Sequence, residues 1–256
     1  MRLRDEAMAA VRIRTIDGIR TAAGALRDTV AGLTGLRVHI THNIAASTPM
    51  TDAAGEILAG SVFHDPDRAA WWLYPHFALR SPLAMACRFE AEPFWCNAEG
   101  IHSPTPNQLL NSIDLSNFEE RALTRAAIVA PIHLPFGEIG AASFLSPNVN
   151  TVDLADHFEA YGEILALLAR IFVASYVKVT ERRPTEVGSV NLSKREAECL
   201  RWAAAGKTND EIAISLGLKR TTIRFHIRTA AQKLNAVNRD QALFRAAQLG
   251  FLGTLR

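Results

Sequence analysis

The last quarter of the chain is punctuated so closely that few folds can accommodate it. Ser193-x-x-Glu196 and Thr208-x-x-Glu211 are both capping boxes. Each can satisfy two of the backbone N–H groups that a helix start leaves open. Leu216-Gly217-Leu218 then forces a tight turn, where glycine takes a left-handed conformation at little cost. A third helix is predicted from Lys219 to Leu234, Asn238-x-x-Gln241 opens a fourth, and Gly250 ends it. Short helices with short turns can bury apolar surface only against one another. A helix, a glycine turn and then a basic helix is a helix-turn-helix signature.

Drawn in 100° steps, the third helix has two faces. Ile223, Ile227, Ala230 and Leu234 fall on one arc and are expected in the core. Thr221, Phe225, Arg228 and Gln232 lie opposite, flanked by Thr222 and Arg224. Arginine can pair bidentately with guanine, and threonine offers a methyl or hydroxyl to base edges, so this face suits a major groove. Lys207, Lys233 and Arg239 are placed as phosphate contacts, which position a protein without reading sequence. Charge agrees. From Pro184 to Arg256 there are twelve basic and six acidic side chains, whereas the rest of the chain has four more acids than bases. A basic end on a mildly acidic body points to a polyanionic partner.

Here the sequence resembles a known family. Leu192-Ser-Lys-Arg-Glu-Ala-Glu-Cys-Leu200, Ala205-Gly-Lys-Thr-Asn-Asp-Glu-Ile-Ala213, Leu218-Lys-Arg-Thr-Thr-Ile-Arg-Phe-His226, Lys233-Leu234 and Val237-Asn-Arg239 are similar to the DNA-binding domain of LuxR-type transcription regulators. Glu196, Leu200 and Gly206 match hallmark positions of that domain. The resemblance implies base contacts from Arg224 and Arg228. It makes Lys207, Thr208, Lys219, Arg220, Thr221, Thr222, Lys233 and Arg239 the remaining candidates on double-stranded DNA. Lys219 stands where the family usually has a capping side chain, a loss of about 1 kcal/mol at that helix start.

Upstream, Thr180–Val190 is polar and aperiodic and holds Pro184 and Gly188, which reads as a linker. This divides the chain into residues 1–179, a linker at 180–190 and a helix-turn-helix domain at 191–256. In the first part, helical spacing covers Asp5 to about Val30, Pro66 to Phe77, Ser116 to Ala127 (with a Ser116/Glu119 capping box) and Thr151 to Val177. Arg37–Ile44 alternates as a strand, and Ile128–Leu134 and Ile139–Leu145 form a hairpin about Pro135-Phe-Gly137. The pattern predicts an α+β domain with one antiparallel sheet covered by helices.

This part also resembles, more faintly, the autoinducer-binding domain of the same family. The resemblance rests on Ile128-Val-Ala-Pro-Ile-His-Leu-Pro-Phe-Gly137 with its following strand, and on Pro93-Phe94-Trp95, one residue shorter than the family's segment. It implies an α-β-α sandwich holding a small-molecule effector, with Trp95 and Ser143 lining the pocket. Where lactone binders carry an Asp-Pro pair, this sequence has Ser81-Pro82. A neutral hydroxyl in place of a carboxylate forfeits a charge-assisted bond of about 1.5–3 kcal/mol to a ligand amide. The expected effector is therefore not an acyl-homoserine lactone. Trp71, Trp72 and Tyr74 supply aromatic lining for a flatter, more apolar molecule. A ligand-independent regulator, whose first domain only dimerises or binds a protein, is the alternative; a sensor keeping residual hydrolytic activity is a third.

No glycine-rich phosphate loop or nucleophile elbow occurs, and His39 and His42 fall on opposite sides of a strand. The expectation is neither an enzyme nor a metal or cofactor protein. Cys87, Cys96 and Cys199 read as free thiols. The apolar stretch Ile164–Val177 is broken by Arg170 and reads as too short to span a bilayer. A cytoplasmic homodimer is expected. The fourth helix, which resembles the family's dimerising helix, is one expected contact, through Ala242, Ala246 and Leu249, and the long helix from Thr151 adds apolar surface to pair the first domains.

Overall fold

The structure is a computed structural model that describes residues 2–46, 48–64, 79–180 and 190–252. It falls into two compact units, the first of residues 2–134 and 138–180 and the second chiefly of residues 190–252.

The first unit is built on a five-stranded antiparallel sheet. In chain order it contains α1 (Arg2–Ala10), α2 (Ile19–Thr34), β1 (Arg37–Thr41), α3 (Leu58–Ser61), α4 (Pro82–Ala86), β2 (Phe94–Asn97), β3 (Ile101–His102), α5 (Phe118–Ala122), β4 (Ala126–His133), β5 (Ile139–Leu145) and α6 (Ala155–Thr180). The strand order is β1-β5-β4-β2-β3. β4 is buried at every position but its last. Successive side chains of a strand point to opposite faces, so such a strand must be covered on both sides. The covers are two separate cores. Val38, Ile40, Ala126, Ile128, Ala130, Ile132, Ala142 and Phe144 face the first, against α2 and α6. Phe94, Cys96, Ala127, Val129 and Leu145 face the second, against Leu83, Ala86 and Cys87 near α4 and Phe118 and Ala122 of α5. Pro131 is tolerated mid-strand because β2 pairs only with Ala126–Val129, so Pro131 lies past that partner.

α6 is longer than the apolar run suggested. Its 26 residues are long and apolar enough, by length and composition, to cross a membrane. One stripe of it, Leu165, Leu168, Ala169, Phe172, Val173, Tyr176 and Val177, is buried in the first core. Gly140 lets this helix come close to the sheet. A Cβ there would stand 2.9 Å from Val173 Cγ1 and 3.0 Å from the carbonyls of Thr41 and His42.

Several local expectations are corrected. The long first helix is two helices, because Val11 and Ile13 drop into the first core between them. Ser175 Oγ accepts the Ile13 N–H at 3.0 Å, satisfying a donor that a continuous helix would have used. The Ser116–Ala127 helix shrinks to five residues. Asn117 and Leu123 bracket it with left-handed backbone, and β4 claims residues from Ala126 onward. Ser116 does not form the capping box; its hydroxyl donates to Asp114, while Glu119 pairs with Arg125. α6 begins at Ala155, whose N–H is accepted by Asp153 Oδ1, while the Thr151 hydroxyl donates to Ser146. β2 and β3 were not anticipated. The helix expected at Pro66–Phe77 lies outside the described residues, as does most of the linker.

The second unit holds α7 (Lys194–Ala204), α8 (Asn209–Leu216), α9 (Arg220–Lys233) and α10 (Arg239–Gln248). Its core has two lobes. Cys199, Ala203, Ile212, Ala213, Ile223 and Ile227 form one; Leu200, Ala230, Leu234, Ala242 and Ala246 form the other.

Candidate nucleic-acid interface

The helix-turn-helix is assembled from its caps. Ser193 Oγ accepts the Glu196 N–H at 3.3 Å while Glu196 Oε2 accepts the Ser193 N–H at 2.8 Å. Thr208 and Glu211 do the same at 3.3 and 2.8 Å, and the Thr208 hydroxyl also donates to Glu211 at 2.9 Å. The N–H and hydroxyl of Thr208 hold the Glu211 carboxyl below its ordinary range. α8 ends at Gly217, whose φ of 63° lies in the left-handed region. Lys219 then occupies the cap position of α9 without a side-chain bond to the backbone.

α9 presents the two faces read from the sequence. Ile223, Ile227, Ala230 and Leu234 are buried. Thr221, Arg224, Phe225, Arg228 and Gln232 are exposed, and Thr222 is half-buried beside them. Arg220 meets Asp210 at 3.4 Å with both side chains largely in solvent. A surface pair of this kind contributes about 0–1 kcal/mol, so the guanidinium can exchange it for a phosphate. Lys207 is similarly loose, 3.9 Å from Glu211.

Two of the expected phosphate contacts have internal partners. Lys233 Nζ donates to both carboxylate oxygens of Glu196, at 3.0 and 2.8 Å. Glu196 is buried, yet its carboxyl stays below the ordinary range. Burial pushes it up, and the Lys233 ammonium and the Ser193 N–H more than offset this. Arg239 Nη2 donates to the Lys207 carbonyl at 2.6 Å and is half-buried. Both side chains fasten helices together within the unit. The sequence pattern also missed Arg245, whose Nη1 donates to the Leu234 carbonyl at 2.8 Å and to that of Asn235. It closes the end of α9, where basic side chains often meet the last carbonyls.

The fourth-helix stripe is corrected. Ala242 and Ala246 are fully buried inside this unit, so they offer nothing to a second copy. The apolar groups that α10 and its approach leave in solvent are Phe244 and Val237.

The ligand set does not come together as expected. Trp71, Trp72 and Tyr74 lie outside the described residues. Ser143 is buried on β5 between Val129 and His39, on the face of the second core. Trp95 pairs with Ile128, which pairs with Phe144, on the opposite face. There it stacks on His102, ring centroids 4.1 Å apart. Trp95 and Ser143 therefore cannot line one pocket, because a shift of one residue along a strand exchanges its faces. Ser81 opens α4, on the side of the second core. Its hydroxyl is fully buried and has no hydrogen-bond partner among the described residues. An unpaired buried hydroxyl costs about 1–3 kcal/mol. Cys87 and Cys96 lie in the same core, where burial pushes the Cys87 thiol up to about 12 and raises that of Cys96 too. Neither is a ready nucleophile at neutral pH.

Comparison with known proteins bears most directly on the second unit. Residues 190–246 match the family described as bacterial regulatory proteins, luxR family. Over 181 residues the chain is 32% identical to the transcriptional activator protein AhyR of Aeromonas hydrophila, covering 69% of this chain and 66% of AhyR. It is 31% identical to the transcriptional activator protein VanR of Vibrio anguillarum over 129 residues, 50% of this chain and 52% of VanR. The matches thus span between half and two thirds of these relatives' lengths. Among solved structures, Escherichia coli SdiA aligns over 99% of each chain at 18% identity with a TM-score of 0.44.

Proposed function

We propose that the protein is a sequence-specific transcription regulator controlled by a small molecule, with the four-helix unit, which matches the bacterial luxR family over residues 190–246, as its DNA-binding domain. The observation that carries the DNA reading is the exposed face of α9. Thr221, Arg224 and Arg228 project from a helix whose other face is locked into the core by Ile223, Ile227 and Ala230. A recognition surface needs side chains free to reach base edges on a backbone that does not move. Lys207, Lys219 and Arg220 stand around it as phosphate contacts, and Thr208 sets the start of α8. Lys233 and Arg239 act from behind, by holding the helices.

The effector reading rests on Ser81 and Ser143, buried hydroxyls on the side of the second core. They suit a neutral molecule with a hydroxyl or carbonyl, and not an acyl-homoserine lactone that demands a carboxylate. The regulator works as a two-fold dimer reading half-sites about one helical turn apart.

Selection from random double-stranded DNA by the full chain, followed by titration, tests the DNA reading. An enriched sequence bound more weakly by Arg224→Ala and Arg228→Ala supports it; no enrichment refutes it. Calorimetry with acyl-homoserine lactones of several chain lengths tests the effector reading, which submicromolar binding would overturn. Light scattering at micromolar concentration, with and without DNA, decides the dimer.

A further inference from the structure

An aromatic ring stands in water at the centre of the basic face of α9. Phe225 is 64% exposed, one residue from Arg224 and three from Arg228. Its ring meets that of His226 edge-on, centroids 5.8 Å apart. Nothing in the unit's two core lobes uses it. Thr221 lies one turn before it on the same ridge. The same helix and its cap carry Lys219, Arg220, Arg224 and Arg228, so a protein partner would have to be acidic. The surface that matches an apolar group framed by guanidinium groups is the major groove. There, the 5-methyl group of thymine is the one apolar feature on a base edge, and phenylalanine is among the side chains that meet it.

We propose that Phe225 is a specificity-determining residue that reads a thymine 5-methyl beside the bases contacted by Arg224 and Arg228. The inference rests on the DNA reading above and adds a base and an atom to it. Arginine distinguishes guanine by hydrogen bonds. Phe225 distinguishes thymine from cytosine by the methyl group that its ring desolvates.

The test uses the full chain and a site it has selected from random DNA. Each thymine is replaced in turn by deoxyuridine, which keeps every hydrogen-bonding group and lacks only the methyl. For the wild-type chain, replacement at one position per half-site should weaken binding about fourfold, the value of one buried carbon of this size. For Phe225→Ala, the same replacement should change binding less than twofold. Because Phe225 contributes to neither core lobe, the variant should melt as the wild type does. Three results would overturn the proposal: a wild-type chain indifferent to every deoxyuridine, a Phe225→Ala chain that stays sensitive, or a selected site with no thymine next to the arginine-contacted bases. Failure to enrich any sequence refutes the DNA reading itself and the proposal with it.

Discussion

Replacing Glu196 by Gln isolates the ion pair that ties α7 to the end of α9. The amide keeps an oxygen for the Ser193 N–H, so the cap survives, but the charge that meets Lys233 Nζ at 2.8 and 3.0 Å is lost. Hydrogen bonds to charged groups contribute about 1.5–3 kcal/mol. The Lys233 side chain is 39% exposed, so water recovers part of its solvation. Discounting for that screening leaves about 1–2 kcal/mol. At about 1.4 kcal/mol per tenfold, amides of α7 and α9 should exchange roughly 5- to 30-fold faster in Glu196→Gln than in wild type at pH 7. Hydrogen-exchange mass spectrometry on peptides from 194–204 and 220–233 reads this without interference from the first unit. The pH dependence follows from the sign of the shift. Burial pushes the Glu196 carboxyl up from its ordinary 4.5, but Lys233 and Ser193 bring it below. A lowered carboxyl contributes its full stability above its unfolded value and loses it as pH falls through the folded one. The gap between wild type and variant should be constant from pH 8 to about 6 and close below about 4.5. Exchange within twofold of wild type at pH 7, or a gap that widens in acid, would refute the reasoning.

Other outcomes are expected. Arg224→Ala and Arg228→Ala should each cost about 1–3 kcal/mol on the selected site and relax its sequence preference, measured by competition titration. Lys207→Ala should flatten the dependence of log K on log salt by about 0.9, whereas Lys233→Met should leave that slope unchanged, since its ammonium is spent on Glu196. Ser81→Ala should raise the melting temperature of the unliganded chain by removing a buried hydroxyl without a described partner, and Ser81→Asp should lower it by burying a charge. Gly140→Ala should destabilise the first unit by about 1–3 kcal/mol through overpacking, seen as a lower urea midpoint, because two of the three atoms crowding the new Cβ are backbone.

The second unit was legible almost residue by residue, because its determinants are local. Capping boxes, a glycine turn and a 3.6-residue period act within one helix and its neighbours. What the sequence hid there was pairing between distant helices. Lys233 reads as a solvent-facing cation until Glu196, 37 positions away, is placed beside it. The first unit was legible in its sheet-and-helix class and in the hairpin of β4 and β5. It was not legible where tertiary contacts outvote spacing, as at Val11 and Ile13 or at residues 116–127. Trp95 and Ser143 part for a related reason. Trp95 and Ser143 look like partners until strand register assigns each a face, and a period of two leaves no tolerance for a one-residue error.

β4 has a mechanical consequence. Its odd and even residues belong to different cores, so the strand acts as a partition wall with no free side. Ala127 and Val129 cannot be pushed without moving the backbone that carries Ala126, Ile128 and Ala130. Close-packed interiors have low compressibility and transmit displacement instead of absorbing it. Any molecule that swells the compartment under α4 and α5 must therefore press, through a single layer of peptide, on α6 across the wall.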